Sequence, residues 1–211
     1  MKWPSLLGLI GGEPVFTSAL LLSGIRSAAG VRLQLSRWVK AAKVLQLRRG
    51  VYALAQPWRK IEPHPFLVAN ALQKGSYVSL QSALAFHGLI PEHVPVVTSV
   101  GPRRPETVRN DLGAFDYRHI HTRLLFGYSR LLVAPGQHAF VASPEKALLD
   151  LIYLTNDGES TRHIASLRLQ QPEAVDGPTL RDLAARAGHP RLARAARRLM
   201  QVLENETGEP L

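Results

Sequence analysis

Cysteine is absent from the 211 residues, which excludes disulfides and thiolate metal sites and agrees with a reducing compartment. Long apolar runs are missing too. The opening "MKWPSLLGLIGG" is interrupted by glycines and too brief for a secretory signal, and nothing approaches the roughly 20 apolar residues that span a bilayer. These absences point to a cytoplasmic protein with no membrane partner. No phosphate-binding glycine loop and no nucleophile elbow occurs, so nothing speaks for an enzyme or a cofactor. Most informative is the shortage of acid at the start of the chain. Residues 1–60 hold Glu13 alone against ten basic residues, Lys2, Arg26, Arg32, Arg37, Lys40, Lys43, Arg48, Arg49, Arg59 and Lys60, which accounts for +9 of the net +10. A one-signed stretch of that kind faces a polyanion, with charge kept only for solubility as the alternative, since solvated surfaces usually mix signs.

An apolar fraction of 45% is enough for a real core, in one large domain or two small ones. In the basic part, "VFTSALLLSG" (15–24) reads as a short helix with Thr17 or Ser18 as its cap and Gly24 as its stop. A second helix spans 27–42, capped by Ser27. Ala28, Val31, Leu35, Trp38, Val39 and Ala42 make its apolar stripe. Gln34 and Arg37 lie opposite that stripe with Gly30, Leu33 and Ala41, while Arg32 and Lys40 sit on the flanks of the stripe. Gly30 either sits inside this helix, where it permits close approach, or delays its start. "LQLRRGVYAL" (45–54) then reads as a hairpin with Arg48, Arg49 and Gly50 at its tip and Leu45, Leu47, Val51 and Leu54 facing inward.

Helix, helix and hairpin in that order are the parts of a winged helix-turn-helix, in which the second helix enters the DNA major groove and the hairpin reaches the backbone or minor groove. The expected DNA-binding residues are Ser27, Gly30, Arg32, Gln34, Arg37, Lys40, Lys43, Arg48 and Arg49. "AQPWRKIEPHP" (55–65) reads as a linker, dividing a domain at 1–60 from one at 61–211.

The second part reads as an α+β domain with a small antiparallel sheet and C-terminal helices. Helices are expected at 66–75 and after Ser79, strands at 94–100, 115–121, 123–134 and 138–142, and a loop at 101–113. "SPEKALLDLIYL" (143–154) opens a helix capped by Ser143, with Glu145 at its positive end and Lys146 with Asp150 as a surface pair. A nuclease cluster of Glu145, Lys146 and Asp150 is the alternative. His119 and His121 share a strand face, with His87 and His93 elsewhere, but no clustered partner makes them metal ligands. Residues 179–203 form two helices around "GHP", with Arg191, Arg194 and Arg198 on one face, either solvated or a second basic contact.

"FTSALLL", "LSRWVKAAKVLQLRRGVYALA", "GSYVSLQSALAFHGLIP" and "FVASPEKALLDLIYL", in that order, resemble the AbiEi family, the antitoxins of type IV toxin-antitoxin systems. The resemblance implies an N-terminal winged helix that binds inverted repeats in double-stranded DNA of its own promoter. It also implies a C-terminal domain that counters a nucleotidyltransferase-like toxin without an obligatory stable complex. Two positions depart from the family pattern: Ala42 and Lys43 stand where a glycine usually precedes the wing, and Trp38 stands at the helix's usual second leucine. A solitary winged-helix regulator, a protein-interaction module without a toxin, and a metal-dependent nuclease are the other readings.

Overall fold

Among the described residues, the first part of the chain holds three helices and three short strands. The computed structural model describes residues 1–22, 28–91 and 94–208, with the backbone alone described over 204–208. The order is α1 (Trp3–Ile10), β1 (Phe16–Thr17), α2 (Ser18–Leu22), α3 (Ala28–Lys40), β2 (Val44–Arg48) and β3 (Val51–Leu54). The strands form an antiparallel sheet in the order β1-β3-β2, and this sequence of elements is that of a winged helix. The stripe on α3 buries Val31, Leu35 and Trp38 against Leu6 and Ile10 of α1, Phe16, Leu21, Val44, Tyr52 and Leu54. Two of these elements differ from the expected ones. Residues 16–17 are strand rather than helix, because Phe16 pairs with Tyr52 and their rings stack at 5.7 Å. Helix α1 forms in a segment that its glycines had obscured; burial of Leu6 and Ile10 outweighs the propensity cost of Gly8.

The turn from α3 into β2 closes without a glycine. The amide of Lys43 donates to the carbonyl of Trp38 at 2.9 Å and that of Ala42 to Val39 at 3.0 Å, the paired bonds of a Schellman motif. Its left-handed position is Ala42, at φ +52°. A left-handed alanine costs about 1–2 kcal/mol, part of which glycine's extra unfolded-state entropy offsets. Ala42→Gly is therefore expected to stabilise the domain by about 0.5–1 kcal/mol, read as a higher denaturant midpoint; a lower midpoint would contradict the account.

The second domain contains α4 (Pro65–Leu72), β4 (Tyr77–Val78), α5 (Leu80–Phe86), β5 (Val96–Gly101), β6 (Glu106–Asn110), β7 (Gly113–His119), β8 (Tyr128–Ala134) and β9 (Gln137–Ala142). It ends with α6 (Pro144–Leu154), α7 (Thr161–Ser166), α8 (Gly177–Ala187) and α9 (Pro190–Gly208). The fold is α+β, but the sheet is neither small nor purely antiparallel. Six strands run β6-β7-β5-β4-β9-β8, with β5·β7 and β4·β9 parallel. Residues 106–110, expected as loop, pair along β7, their alternation hidden by the flanking prolines and arginines. The expected strand at 123–134 begins only at Tyr128, after a 3-10 turn over 122–124 and Gly127 at φ +70°.

The buried apolar residues form two clusters that meet at the hairpin, and the segment expected as a linker is pinned. Gln137 on β9 accepts from the amide of His64 at 2.7 Å and donates to the carbonyl of Glu62 at 2.9 Å. The hairpin belongs to both clusters. Val44, Tyr52 and Leu54 face the first domain's core, whereas Leu45, Leu47, Val51 and Ala53 pack on the second.

Candidate nucleic-acid interface

Helix α3 turns one face inward, so its other face is decided by the same periodicity. Gly30 lies within the helix, on the exposed side with Arg32, Leu33, Ser36, Arg37 and Lys40, while Gln34 is half-buried. Ser27, the expected cap, and His93 lie outside the described residues. Arg32, Arg37 and Lys40 form no ion pair among the described residues. Arg49 at the hairpin tip is likewise exposed. It lines a cleft of about 510 Å³ with Arg32, Ser18, Gln46, Gly50 and Tyr52, so a helix cation and a wing cation share one concavity. Ser18 and Gln46 were not among the expected site residues. Gln46 carried a sequence signal, a polar position between apolar neighbours on a strand.

Two of the expected DNA ligands are engaged inside the protein instead. The Lys43 ammonium sits 5.2 Å from the Trp3 ring and 5.6 Å from the Trp58 ring, over an aromatic cluster that includes Trp38. Arg48 turns toward the second domain, where Nη1 donates to Glu106 Oε1 at 2.6 Å and to the Leu72 carbonyl at 3.2 Å. Gln73 Nε2 donates to the same carboxylate oxygen at 2.8 Å, and Asn110 Nδ2 donates to the carbonyl of Leu47 at 3.2 Å. The wing is therefore docked on the second domain, and only Arg49 of the arginine pair is available to a ligand.

The Arg48 hydrogen bond holds the Glu106 carboxyl below its ordinary range. A carboxylate with a depressed pKa contributes fully above its unfolded value and loses that contribution as pH falls through the folded one. Both side chains are about a third exposed, at 33% and 32%, so solvent screens the pair. Glu106→Gln is expected to cost about 1 kcal/mol at neutral pH and to flatten the loss of stability as pH falls below the ordinary glutamate value of about 4.3. Equal acid sensitivity in the variant would remove Glu106 from the account.

A solved structure shares this architecture. The chain is similar to the RV2827C protein from Mycobacterium tuberculosis, with a TM-score of 0.56 and 15% identity over 100% of this chain and 84% of that one. At that identity the likeness is one of fold. No family model and no curated protein matches the sequence.

The other expected basic face is also occupied. Arg191 donates to the carbonyl of Thr155, Arg198 Nη1 to that of Glu159 at 2.5 Å, and Arg194 bonds both Glu159 oxygens at 3.0 Å. Hydrogen bonding to Arg194 lowers the Glu159 pKa. The three arginines thus clamp the end of α6 and the loop beyond it, where Gly158 packs so tightly that a Cβ would lie 2.6 Å from the Ile152 carbonyl oxygen.

Lys146 and Asp150 are not a surface pair. They are 2% and 1% exposed and bonded to each other, and Asp150 Oδ2 also accepts from Tyr77 at 2.9 Å and Ser79 at 2.8 Å. Burial pushes the Asp150 carboxyl up and the Lys146 ammonium down from their ordinary values. Glu145, 4% exposed, accepts from Ser143 at 2.8 Å and from the amide of Asp176 at 2.9 Å. The "YVSL" and "SPEKALLD" motifs therefore meet in the core, where a phosphodiester has no access. His121 caps the 3-10 turn, His119 bonds the Arg103 carbonyl and His87 the Ala142 carbonyl. Among the described residues no group of three His, Cys, Asp or Glu comes together as a metal site.

Proposed function

We propose that the protein is a cytoplasmic DNA-binding transcriptional autorepressor that binds inverted repeats in its own promoter, and that it acts as the antitoxin of a type IV toxin-antitoxin system. The observation that carries the DNA-binding half is the set of cations on the exposed face of α3 that form no ion pair among the described residues, with Arg32 sharing a cleft with Arg49 of the wing. In this reading α3 enters the major groove, Gln34 and Arg37 address base edges, and Arg32, Lys40 and Arg49 hold phosphates. Arg48 acts indirectly, by fixing the wing on the second domain through Glu106. The antitoxin half rests on the sequence resemblance to the AbiEi family, and its target would be a nucleotidyltransferase-like toxin.

No helix among the described residues is long and apolar enough to cross a membrane, which is compatible with work on DNA. The deciding experiment titrates the intact chain against its own upstream DNA and a scrambled duplex at two salt concentrations. Tight, salt-sensitive binding that prefers the upstream sequence supports the autorepressor. Equal, weak binding to both leaves a merely basic surface and favours a protein-interaction module. For the antitoxin half, expression of an adjacent toxin gene should arrest growth and co-expression of this chain should restore it.

A further inference from the structure

Leu33 is the most exposed large apolar side chain described in the first domain, at 54%, although it lies in the middle of α3. Its place follows from the helix geometry. Val31 and Leu35, two residues to either side, are 3% and 2% exposed, and a step of two residues turns an α-helix by about 200°. Leu33 thus stands at the centre of the outward face. Its neighbours at three and four residues are Ala29, Gly30, Ser36 and Arg37, so three of the four are small and Leu33 projects beyond them. Arg32, Arg37 and Lys40 surround it, and α3 holds no acidic residue.

A leucine on a helix face that carries three cations and no acidic residue fits a surface that is anionic at its rim and apolar at one point. Duplex DNA presents that combination in the major groove, where phosphates border the groove and the C5 methyl of thymine is the apolar group on its floor. A protein partner covering Leu33 would have to neutralise three cations around it, because this domain supplies only Glu13. We propose that Leu33 packs on a thymine methyl and selects T·A pairs at the centre of each half-site, an inference that rests on the DNA-reading role above.

The test is a cycle of four affinities: wild type and Leu33→Ala, each with the upstream duplex and with the same duplex carrying uracil for thymine, which removes the methyl alone. Burial of one methyl corresponds to about fourfold in affinity, so wild type should bind the uracil duplex about fourfold more weakly. Leu33→Ala should lose at least that factor on the thymine duplex and almost nothing further on the uracil one. Equal wild-type affinity for the two duplexes, or the same loss for Leu33→Ala on both, overturns the proposal while leaving DNA reading intact. Failure of DNA reading itself has a different signature: wild type then binds the upstream thymine duplex no better than a scrambled one, and both proposals fall. Because the Leu33 side chain is exposed, alanine at this position removes no core contact.

Discussion

Replacing Asp150 with alanine is expected to destabilise the second domain by about 3–5 kcal/mol, a large share of the total stability of a domain this size. The carboxylate is 1% exposed and receives the Tyr77 and Ser79 hydroxyls and the Lys146 ammonium. Without it all three donors remain buried with no acceptor in that place, and the ammonium of Lys146, a residue 2% exposed, is left beside the Tyr77 and Phe126 rings at 5.5 and 5.3 Å. Cation-π attraction recovers only a fraction of that cost. Lys146→Met combined with Asp150→Leu should cost less than Asp150→Ala alone, because it removes both charges together and leaves only the hydroxyls. Denaturant midpoints measure both. A change below about 1 kcal/mol for Asp150→Ala would mean that the cluster is hydrated and not the dry network described. The same result bears on function, since loss of activity in an Asp150 variant would report unfolding before it reported chemistry.

The second large effect is on salt dependence. Contacts from Arg32, Lys40 and Arg49 to three phosphates give a slope of about −2.7 in log affinity against log salt, or roughly a fortyfold loss between 50 and 200 mM. Converting Arg32 and Arg49 to alanine together empties the cleft of its two cations. That variant should bind every duplex more weakly at low salt, with the loss over the same salt range reduced to about fourfold. Arg48→Ala should leave the slope nearly unchanged, because its charge is already matched by Glu106. Arg37→Ala should instead narrow the preference for upstream over scrambled DNA; an equal loss on both would make Arg37 a phosphate contact. An unchanged slope in the Arg32 and Arg49 double variant would remove the cleft from the interface.

Arg48 and Arg49 show where reading the sequence stops. They are adjacent, chemically identical and at the tip of one hairpin, so every local argument treats them alike. Their fates separate because the hairpin packs on a second domain whose Glu106 lies 58 residues further along the chain. The same holds for Lys146 and Asp150: their spacing of four is equally that of a solvated helix pair and of a buried one. Burial was decided by Tyr77 and Ser79, more than 70 residues away. Arg191, Arg194 and Arg198 share a helix face as their spacing requires, yet that face is met by the loop at 155–159.

What the sequence by itself determined is local or cumulative. It determined the inward stripe of α3, the hairpin, the Ser143 cap and the one-signed charge of the first sixty residues, because periodicity, caps and net charge depend on neighbours or on totals. Only the tertiary structure decided which of those charges meet a partner and which face outward. It also put β4 between β5 and β9, a position that its two residues, Tyr77 and Val78, give no pattern long enough to reveal. The reason is physical: an ion pair or a parallel strand joins segments far apart in sequence, and its formation depends on how whole elements pack rather than on the residues beside it.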